Sequence, residues 1–298
     1  CWARLEDWAN VHQSPITSRQ SGGGTIQGFL LYAAPATVTG QYTNSPRWEF
    51  WSGTGVNFNL VNAGARDVVT NKWTHLVGTY DDETKVMALY VDGRLARGTV
   101  ISNYAQNLST PLRLGAGGSE LKFGQYHWRG GLDEVAVYPK ALSPARVQAH
   151  YEAAMGTSPL VTDAPGVLVQ PLGQTNWVPN ATVVSCVVTG SLPMQFQWFH
   201  VAQDGSTVTP VPNATNMSLK LDPTTTAQSG NYYLAATNSL GGIETLWAYV
   251  EILPQTAPEF VLNAPASVPV YAGGTAGIPV IASNTPPITY QWQSNSVD

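Results

Sequence analysis

The sequence predicts an all-β protein of two or three sandwich-like domains, and three observations support this prediction. The chain has 298 residues, which suits two or three domains of ~100–150 residues. Charged residues make up only 11%, less than half the usual ~25%, while 28 Gly and 21 Pro supply many turns. Short runs rich in β-branched and aromatic residues recur between these turns, as half-buried strands require.

The clearest strand signals lie in the first half of the chain. They are Trp48–Trp51, Trp73–Tyr80, Val86–Val91 and Leu132–Tyr138. The Asp92-Gly93 pair is typical of a two-residue hairpin turn, because both turn positions need positive φ. One helix is predicted from Ser143, a good N-cap, to about Met155, where Gly156 can adopt the left-handed conformation that ends it.

Linkers and an internal repeat organise the second half of the chain. Residues 155–166 combine Pro and Gly with small polar residues and no periodicity, which predicts a linker. Beyond it, the spacing from Cys186 to Trp198 equals the spacing from Val280 to Trp292, which indicates an internal repeat. The second copy ends soon after its Trp, so we expect only part of a domain there.

Three segments in a fixed order carry a resemblance to a known family. They are KWTHLVGTYDDETKVMALYVDGRLARG, LRLGAGG and WRGGLDEVAVYPKALSPARVQAHY. Together they resemble the bacterial laminin-G-like domains of the concanavalin A-like lectin/glucanase superfamily. The resemblance implies a two-sheet antiparallel jelly roll whose first strand or strands lie upstream of Cys1. It also implies that Trp2, Trp73 and Trp128 occupy core positions.

The segment SGNYYLAATNSLGG resembles a strand motif of immunoglobulin-like domains. The resemblance implies that Trp198 is the core tryptophan and that Tyr232 takes the tyrosine-corner position. Leu234 stands where such domains carry their second cysteine, so we expect no disulfide and a packed cluster of Cys186, Trp198 and Leu234. In the partial repeat, Trp292 would be the core tryptophan. Immunoglobulin-like modules without disulfides look bacterial.

The two resemblances define the predicted fold class: an all-β chain with a concanavalin A-like antiparallel jelly-roll sandwich followed by immunoglobulin-like β-sandwiches. The predicted divisions are 1–154 for the jelly roll, 155–166 for a linker, 167–254 for an immunoglobulin-like domain without a disulfide, and 255–298 for a partial second one.

Several function classes are not expected. A net charge of −5 without basic clusters gives no reason for nucleic-acid binding, and no apolar run is long enough to cross a membrane. Asp133 and Glu134 are adjacent, so on a strand they point to opposite faces and cannot act as paired catalytic carboxylates. We therefore expect no enzyme. The two cysteines, Cys1 and Cys186, are expected to be buried thiols.

Calcium is the one cofactor that the laminin-G resemblance implies, bound at the edge of the sandwich by carboxylate and carbonyl oxygens. Asp133 matches the family position and is the candidate ligand. The alternative is that its carboxylate accepts hydrogen bonds from neighbouring loop amides.

Strand alternation points to a candidate sugar-binding site. If Trp48 and Phe50 face inward, Glu49 and Trp51 share the other face. The indole would stack on a sugar ring, and the carboxylate would accept hydrogen bonds from sugar hydroxyls. Further aromatic residues without an evident core position are Trp8, Tyr42, Tyr104 and Tyr126. The candidate ligand-binding residues are Trp51, Glu49, Trp8 and Tyr126.

The function expected from these features is carbohydrate binding or adhesion by a non-catalytic part of a large secreted or cell-surface protein. The partner would be a glycan or cell-surface polymer. One alternative is a structural repeat of an extracellular filament or surface layer, which would contact neighbouring protein subunits. Another is a set of accessory domains of a secreted glycoside hydrolase. In each case the chain would be extracellular or at the cell surface.

Overall fold

The computed structural model of the chain describes residues 1–8, 11–22, 25–38, 41–116, 126–157, 162–284 and 288–293; side chains are described for these except 21–22, 36–38, 41–45 and 64–67. Strands account for 47% of the structure and helix for 6%, so the all-β prediction is confirmed.

Two antiparallel sheets form the first part of the chain. Its elements are β1 (Trp2–Leu5), β2 (Gln13–Gly22), β3 (Thr25–Val38), β4 (Gln41–Gly53), β5 (Phe58–Asp67), β6 (Trp73–Tyr80), β7 (Val86–Val91), β8 (Arg94–Val100), β9 (Arg113–Leu114), β10 (Gly130–Asp133) and α1 (Pro144–Met155). The back sheet has the order β10-β1-β6-β7-β8, and the front sheet has the order β5-β4-β3-β2-β9. This pair of sheets is the predicted jelly-roll sandwich.

The core of the jelly roll lies between the two sheets and is built by strand alternation. Trp48 and Phe50 of β4 are buried in it, as are Leu31 of β3 and Leu89 of β7. Their neighbours in sequence point to the outer faces, since successive side chains of a strand alternate. Trp128 is buried in the same core, as the resemblance implied.

The hairpin and the helix form where the sequence places them. Asp92 and Gly93 have φ values of 50° and 75°, as the predicted turn requires. The Ser143 side chain accepts a hydrogen bond from the Arg146 N–H at the start of α1, and Gly156 ends the helix with φ 69°. Val147 of α1 is fully buried, which holds the helix against the protein.

The second part of the chain is an immunoglobulin-like sandwich. Its elements are β11 (Gly166–Val169), β12 (Gln174–Trp177), β13 (Thr182–Ser185), β14 (Val187–Thr189), β15 (Gln195–Ala202), β16 (Val208–Pro210), β17 (Ser218–Leu221), a 3-10 turn (Thr226–Gln228), β18 (Gly230–Asn238), β19 (Gly241–Glu244) and β20 (Ala248–Leu253). One sheet has the order β12-β20-β18-β15-β16, with β19 beside β18, and β11–β14 and β13–β17 form separate pairs.

The core of this sandwich contains the predicted apolar cluster. Cys186, Trp198 and Leu234 are all fully buried in one cluster. Trp198 and Leu234 are register partners on β15 and β18, while Cys186 lies between β13 and β14. Burial raises the pKa of the Cys186 thiol to about 12, so the thiol stays protonated and packs as a small apolar group. Both cysteines are free thiols.

The tyrosine corner is also formed. The Tyr232 hydroxyl donates a hydrogen bond of 2.8 Å to the backbone carbonyl oxygen of Gln228, four residues upstream. This bond ties β18 to the preceding 3-10 turn, as the immunoglobulin resemblance implied.

Three tryptophan assignments differ from expectation. Trp73 is 38% exposed, because its indole lies across the bare backbone of Gly131 and beneath the Arg4 guanidinium, outside the core. Trp2 is half-buried beside His75 and Tyr151.

Trp292, expected in an immunoglobulin core, is 54% exposed. The strands β21 (Glu259–Leu262) and β22 (Ile281–Ser283) pair only with each other, and Phe260 of β21 is 61% exposed. In the described part of residues 255–298, no second sheet covers this hairpin, so its apolar side chains have no core to enter.

An apolar interface joins the back sheet to the immunoglobulin-like sandwich. Tyr90 of β7, Leu95 of β8, Val147 of α1 and Val187 of β14 are buried in one cluster. A Cβ placed on Gly98 of β8 would stand only 2.7 Å from the Val187 side chain, so that side chain packs directly on the bare backbone of Gly98. The part of the outer face formed by β7 and β8 is therefore covered.

Candidate functional site

We call the outer face of the front sheet the front face, and it carries a cluster of aromatic side chains. Leu30, Tyr32 and Ala34 are buried there, with Trp51 and Tyr126 packed against them. Tyr32 lies centrally: its ring centroid is 6.1 Å from that of Trp51 and 5.9 Å from that of Tyr126, both in edge-to-face geometry. The front face is thus an ordered aromatic surface on a strand scaffold.

Glu49 and Trp51 share this face, as strand alternation predicted, but Glu49 is not open to solvent. It is 2% exposed, and both of its carboxylate oxygens accept hydrogen bonds. Arg47 Nε donates to Oε1 at 2.8 Å, and Trp51 Nε1 donates to Oε2 at 2.8 Å. The expectation of a carboxylate directed at a ligand is therefore corrected. Glu49 instead holds the Trp51 indole in one orientation and neutralises Arg47.

A shallow, solvent-open surface depression lies beside Trp51, and the centre of a water molecule can reach only about 10 Å³ of it. Arg19, Trp51 and Phe58 contribute side chains to it, and Gly28 and Gly53 contribute bare backbone. Arg19 stands opposite Gly28 in the β2–β3 register, and Phe58 stands opposite Gly53 in the β4–β5 register. Both positions require glycine, because a Cβ would stand 1.8 Å from the Ser18 carbonyl oxygen at Gly28 and 2.4 Å from the Ile26 carbonyl oxygen at Gly53.

Phe58 extends the aromatic surface to the edge of this depression. Its ring centroid lies 4.1 Å from that of Trp51 at an interplanar angle of 35°, and the residue is 45% exposed. Trp51 itself is half-buried. The pair presents ring surface to solvent without a change of conformation, which is what stacking on a sugar ring requires.

Two titratable groups of the front face are neutral at pH 7. Burial lowers the pKa of His12, with Glu49 raising it and Arg47 lowering it more weakly. Burial raises the pKa of Tyr32 to about 12, although Arg19 nearby lowers it. The charge of this face at neutral pH therefore comes from its carboxylate and guanidinium groups.

The other candidate aromatics lie in different places. Tyr126 belongs to the front face and also contacts His12, at 5.8 Å between ring centroids. Trp8 packs instead against the core between the sheets, so the structure does not bring it together with Trp51. Tyr104 packs against that core as well, 5.2 Å from Tyr80. The side chain of Tyr42 lies outside the described residues.

Asp133 is exposed at the end of β10 and does not by itself form a metal site. Its Oδ1 accepts a hydrogen bond of 2.8 Å from the Glu134 N–H. Within the described ranges, no group of three or more His, Cys, Asp or Glu side chains is placed to hold a metal ion. Calcium binding at Asp133 stays a prediction.

Sequence reasoning missed Arg19, Tyr32 and Phe58. A signal for Tyr32 is the uninterrupted apolar run FLLYAA in β3, because a strand covered on both faces reads as continuous hydrophobicity. Arg19 had no comparable signal, since its position depends on the register between β2 and β3. Phe58 follows a turn, and only the pairing of β4 with β5 brings it beside Trp51.

Comparison with known proteins agrees with the first sandwich. Residues 1–148 match a laminin-G-type family model described as the concanavalin A-like lectin/glucanases superfamily. This part of the chain is therefore similar to that superfamily in sequence as well as in fold. A comparison with curated protein sequences finds no significant match.

Solved structures similar to the chain contain immunoglobulin domains. An I-band fragment of titin is 18% identical over 35% of this chain and 37% of its own length, with a TM-score of 0.26. Tandem Ig repeats of Dlar are 15% identical over 32% of this chain and 51% of theirs, with a TM-score of 0.27. The titin M3 domain is 19% identical over 31% of this chain and 99% of its own, with a TM-score of 0.26.

This chain thus spans about a third of the titin I-band fragment. At such TM-scores, the immunoglobulin-like character of residues 167–253 rests on its own strand order, core and tyrosine corner. None of the helices in the described ranges is long and apolar enough to cross a membrane.

Proposed function

We propose that this chain is a non-catalytic carbohydrate-binding or adhesion module of a secreted or cell-surface protein, and that the front face is its binding surface. One observation carries the proposal: Trp51, held by Glu49, and the exposed Phe58 flank an open depression with a backbone floor. Domains of the laminin-G and immunoglobulin-like classes are typically non-catalytic and extracellular.

The chemistry of the front face favours sugar binding. Pyranose rings present C–H groups on one face, and these stack on aromatic rings, while polar groups around the rings set orientation. A tryptophan with a fixed orientation loses less side-chain entropy on binding than a mobile one. The hydrogen bond from Trp51 to Glu49 supplies this pre-organisation.

Binding without hydrolysis is the form of this proposal that the geometry supports. Glycosidases use two cooperating carboxylates, one as acid and one as base or nucleophile. Glu49 is enclosed, ion-paired with Arg47 and hydrogen-bonded to Trp51, so neither oxygen is directed at the depression as a free acid or nucleophile. Asp81, another acid in the chain, accepts hydrogen bonds from the turn residues Glu83 and Thr84.

A second candidate function, packing in a filament or surface layer, is favoured by an exposed patch on the immunoglobulin-like sandwich. The rings of Phe199, Tyr233 and Trp247 stack, with neighbouring centroids 5.1 and 6.3 Å apart. Trp247 is 58% exposed and Leu246 is 67% exposed. Contiguous apolar surface of this kind is typical of protein–protein contacts.

A matched pair of substitutions separates the two functions. The 298-residue chain and its Trp51→Ala and Trp247→Ala variants are compared on a glycan array and by analytical ultracentrifugation. If the front face binds glycans, Trp51→Ala weakens binding by about fivefold or more, the scale of a lost aromatic contact of about 1 kcal/mol, and Trp247→Ala does not.

The structural function would be supported instead if the chain self-associates, Trp247→Ala abolishes this self-association, and no variant binds a glycan. Melting curves check that both variants are folded.

A further inference from the structure

The depression beside Trp51 has a cation on its side opposite the aromatic pair. Arg19 lines the depression, and its charge lowers the pKa of Tyr32, so its side chain lies on the front face. Its Nε is buried and has no hydrogen-bond partner among the described residues. A buried donor left unsatisfied costs free energy, so the described residues do not fully satisfy the hydrogen-bonding capacity of the Arg19 guanidinium.

Arg113 places a second guanidinium on the same face. In the sheet register Arg113 stands opposite Thr17, Thr17 opposite Leu30, and Leu30 opposite Trp51. Directly opposed residues share one face of a sheet, so the four lie in one row across the front face. Nη1 of Arg113 is likewise buried without a partner in the described part of the chain.

Among the side chains that the structure describes, the front face therefore carries more guanidinium groups than carboxylates, in a chain whose net charge is −5. Glu49 is matched by Arg47 in an ion pair of 2.8 Å, and His12 is neutral at pH 7 because burial lowers its pKa. Arg19 and Arg113 remain without a carboxylate partner in the described ion pairs. Guanidinium groups bind carboxylates and sulfates through paired, charge-assisted hydrogen bonds.

We infer that the depression binds an acidic sugar residue, whose anionic group lies on Arg19 and whose ring lies against Trp51 and Phe58. The depression supplies both surfaces at once, with the backbone of Gly28 and Gly53 between them. Arg113, which lies in the row of side chains next to that of Arg19, would contact the next anionic group of a polyanionic chain. This inference rests on the proposed function and specifies its ligand class.

Isothermal titration with charged and neutral forms of one polymer tests the inference. Polygalacturonate is compared with its methyl ester, and dextran sulfate with dextran, so that carboxylate and sulfate are tested separately. We expect binding to at least one charged polymer to be tenfold or more tighter than to its neutral form. We expect this binding to weaken as NaCl screens it.

Arg19→Gln should lose about tenfold in affinity for the charged polymer, the scale of one charge-assisted hydrogen bond, and little for the neutral one. Arg97→Gln is the matched control. Arg97 is exposed on β8 of the back sheet, so its replacement removes the same charge away from the front face. Arg19→Lys keeps the charge and should retain part of the affinity, which guards against loss of fold.

Equal affinity for charged and neutral polymers, unchanged by Arg19→Gln but lost in Trp51→Ala, would overturn the acidic-sugar inference and leave the proposed function standing. If no glycan of either kind binds to the wild-type chain, both are overturned.

Discussion

Replacement of Glu49 by Ala tests whether the buried carboxylate organises the front face. The substitution leaves the Arg47 guanidinium and the Trp51 indole N–H without their acceptor. Breaking a fully buried ion pair by removing one partner costs about 3–5 kcal/mol. The Arg47 side chain is 21% exposed and can regain some water contact, so we expect about 2–3 kcal/mol here.

Urea unfolding measures the cost, and a double-replacement variant serves as the control. Arg47→Met combined with Glu49→Leu removes both charges while keeping similar volume, so its stability should lie much closer to wild type. Glycan binding should fall in Glu49→Ala even though Trp51 is still present, because the indole is no longer held. Adding Trp51→Ala to Glu49→Ala should then cost less affinity than Trp51→Ala alone.

Wild-type stability together with wild-type glycan affinity in Glu49→Ala would refute this reasoning. It would mean that packing alone, and not the ion pair and hydrogen bond, positions Trp51.

Two further predictions concern the remaining parts of the chain. Leu234→Ala should destabilise the immunoglobulin-like sandwich by about 2–5 kcal/mol, because Leu234 is fully buried, while Cys186→Ser should cost less and reducing agent should leave the melting temperature unchanged. If Asp133 binds calcium, a chelator should lower the melting temperature of the wild-type chain but not that of Asp133→Ala. Identical melting curves with calcium and with chelator would exclude a stabilising metal at this position.

Strand alternation and family motifs predicted the parts of the fold that depend on local sequence. Trp48 and Phe50 are in the core and Trp51 is on the other face, because a regular strand fixes which side each residue takes. Trp198 and Tyr232 occupy the positions that their motif implied. These features depend on the order of residues within one or two strands.

The burial of Glu49 and the position of Arg19 could not be predicted from strand alternation or family motifs. Arg47 two residues before Glu49 is visible in the sequence as a same-face neighbour, yet the sequence does not show that the Glu49 side chain is buried. Arg19 reaches the depression because β2 pairs with β3 in one particular register. The position of Trp8 differs from the prediction for a related reason, since its contact with the core depends on the path of the chain after β1.

The arrangement of the two sandwiches gives the faces of the jelly roll different roles. On β7, Met87 and Leu89 face the internal core, while Ala88 and Tyr90 face outward and are buried by α1 and β14. The β7–β8 part of the outer face of the back sheet is therefore used by the contact with the immunoglobulin-like domain. The front face lies on the opposite side of the sandwich, so the contact between the two domains does not involve it. A spacer attached in this way would hold the jelly roll with its aromatic and cationic surface directed away from the attachment, as a binding module requires.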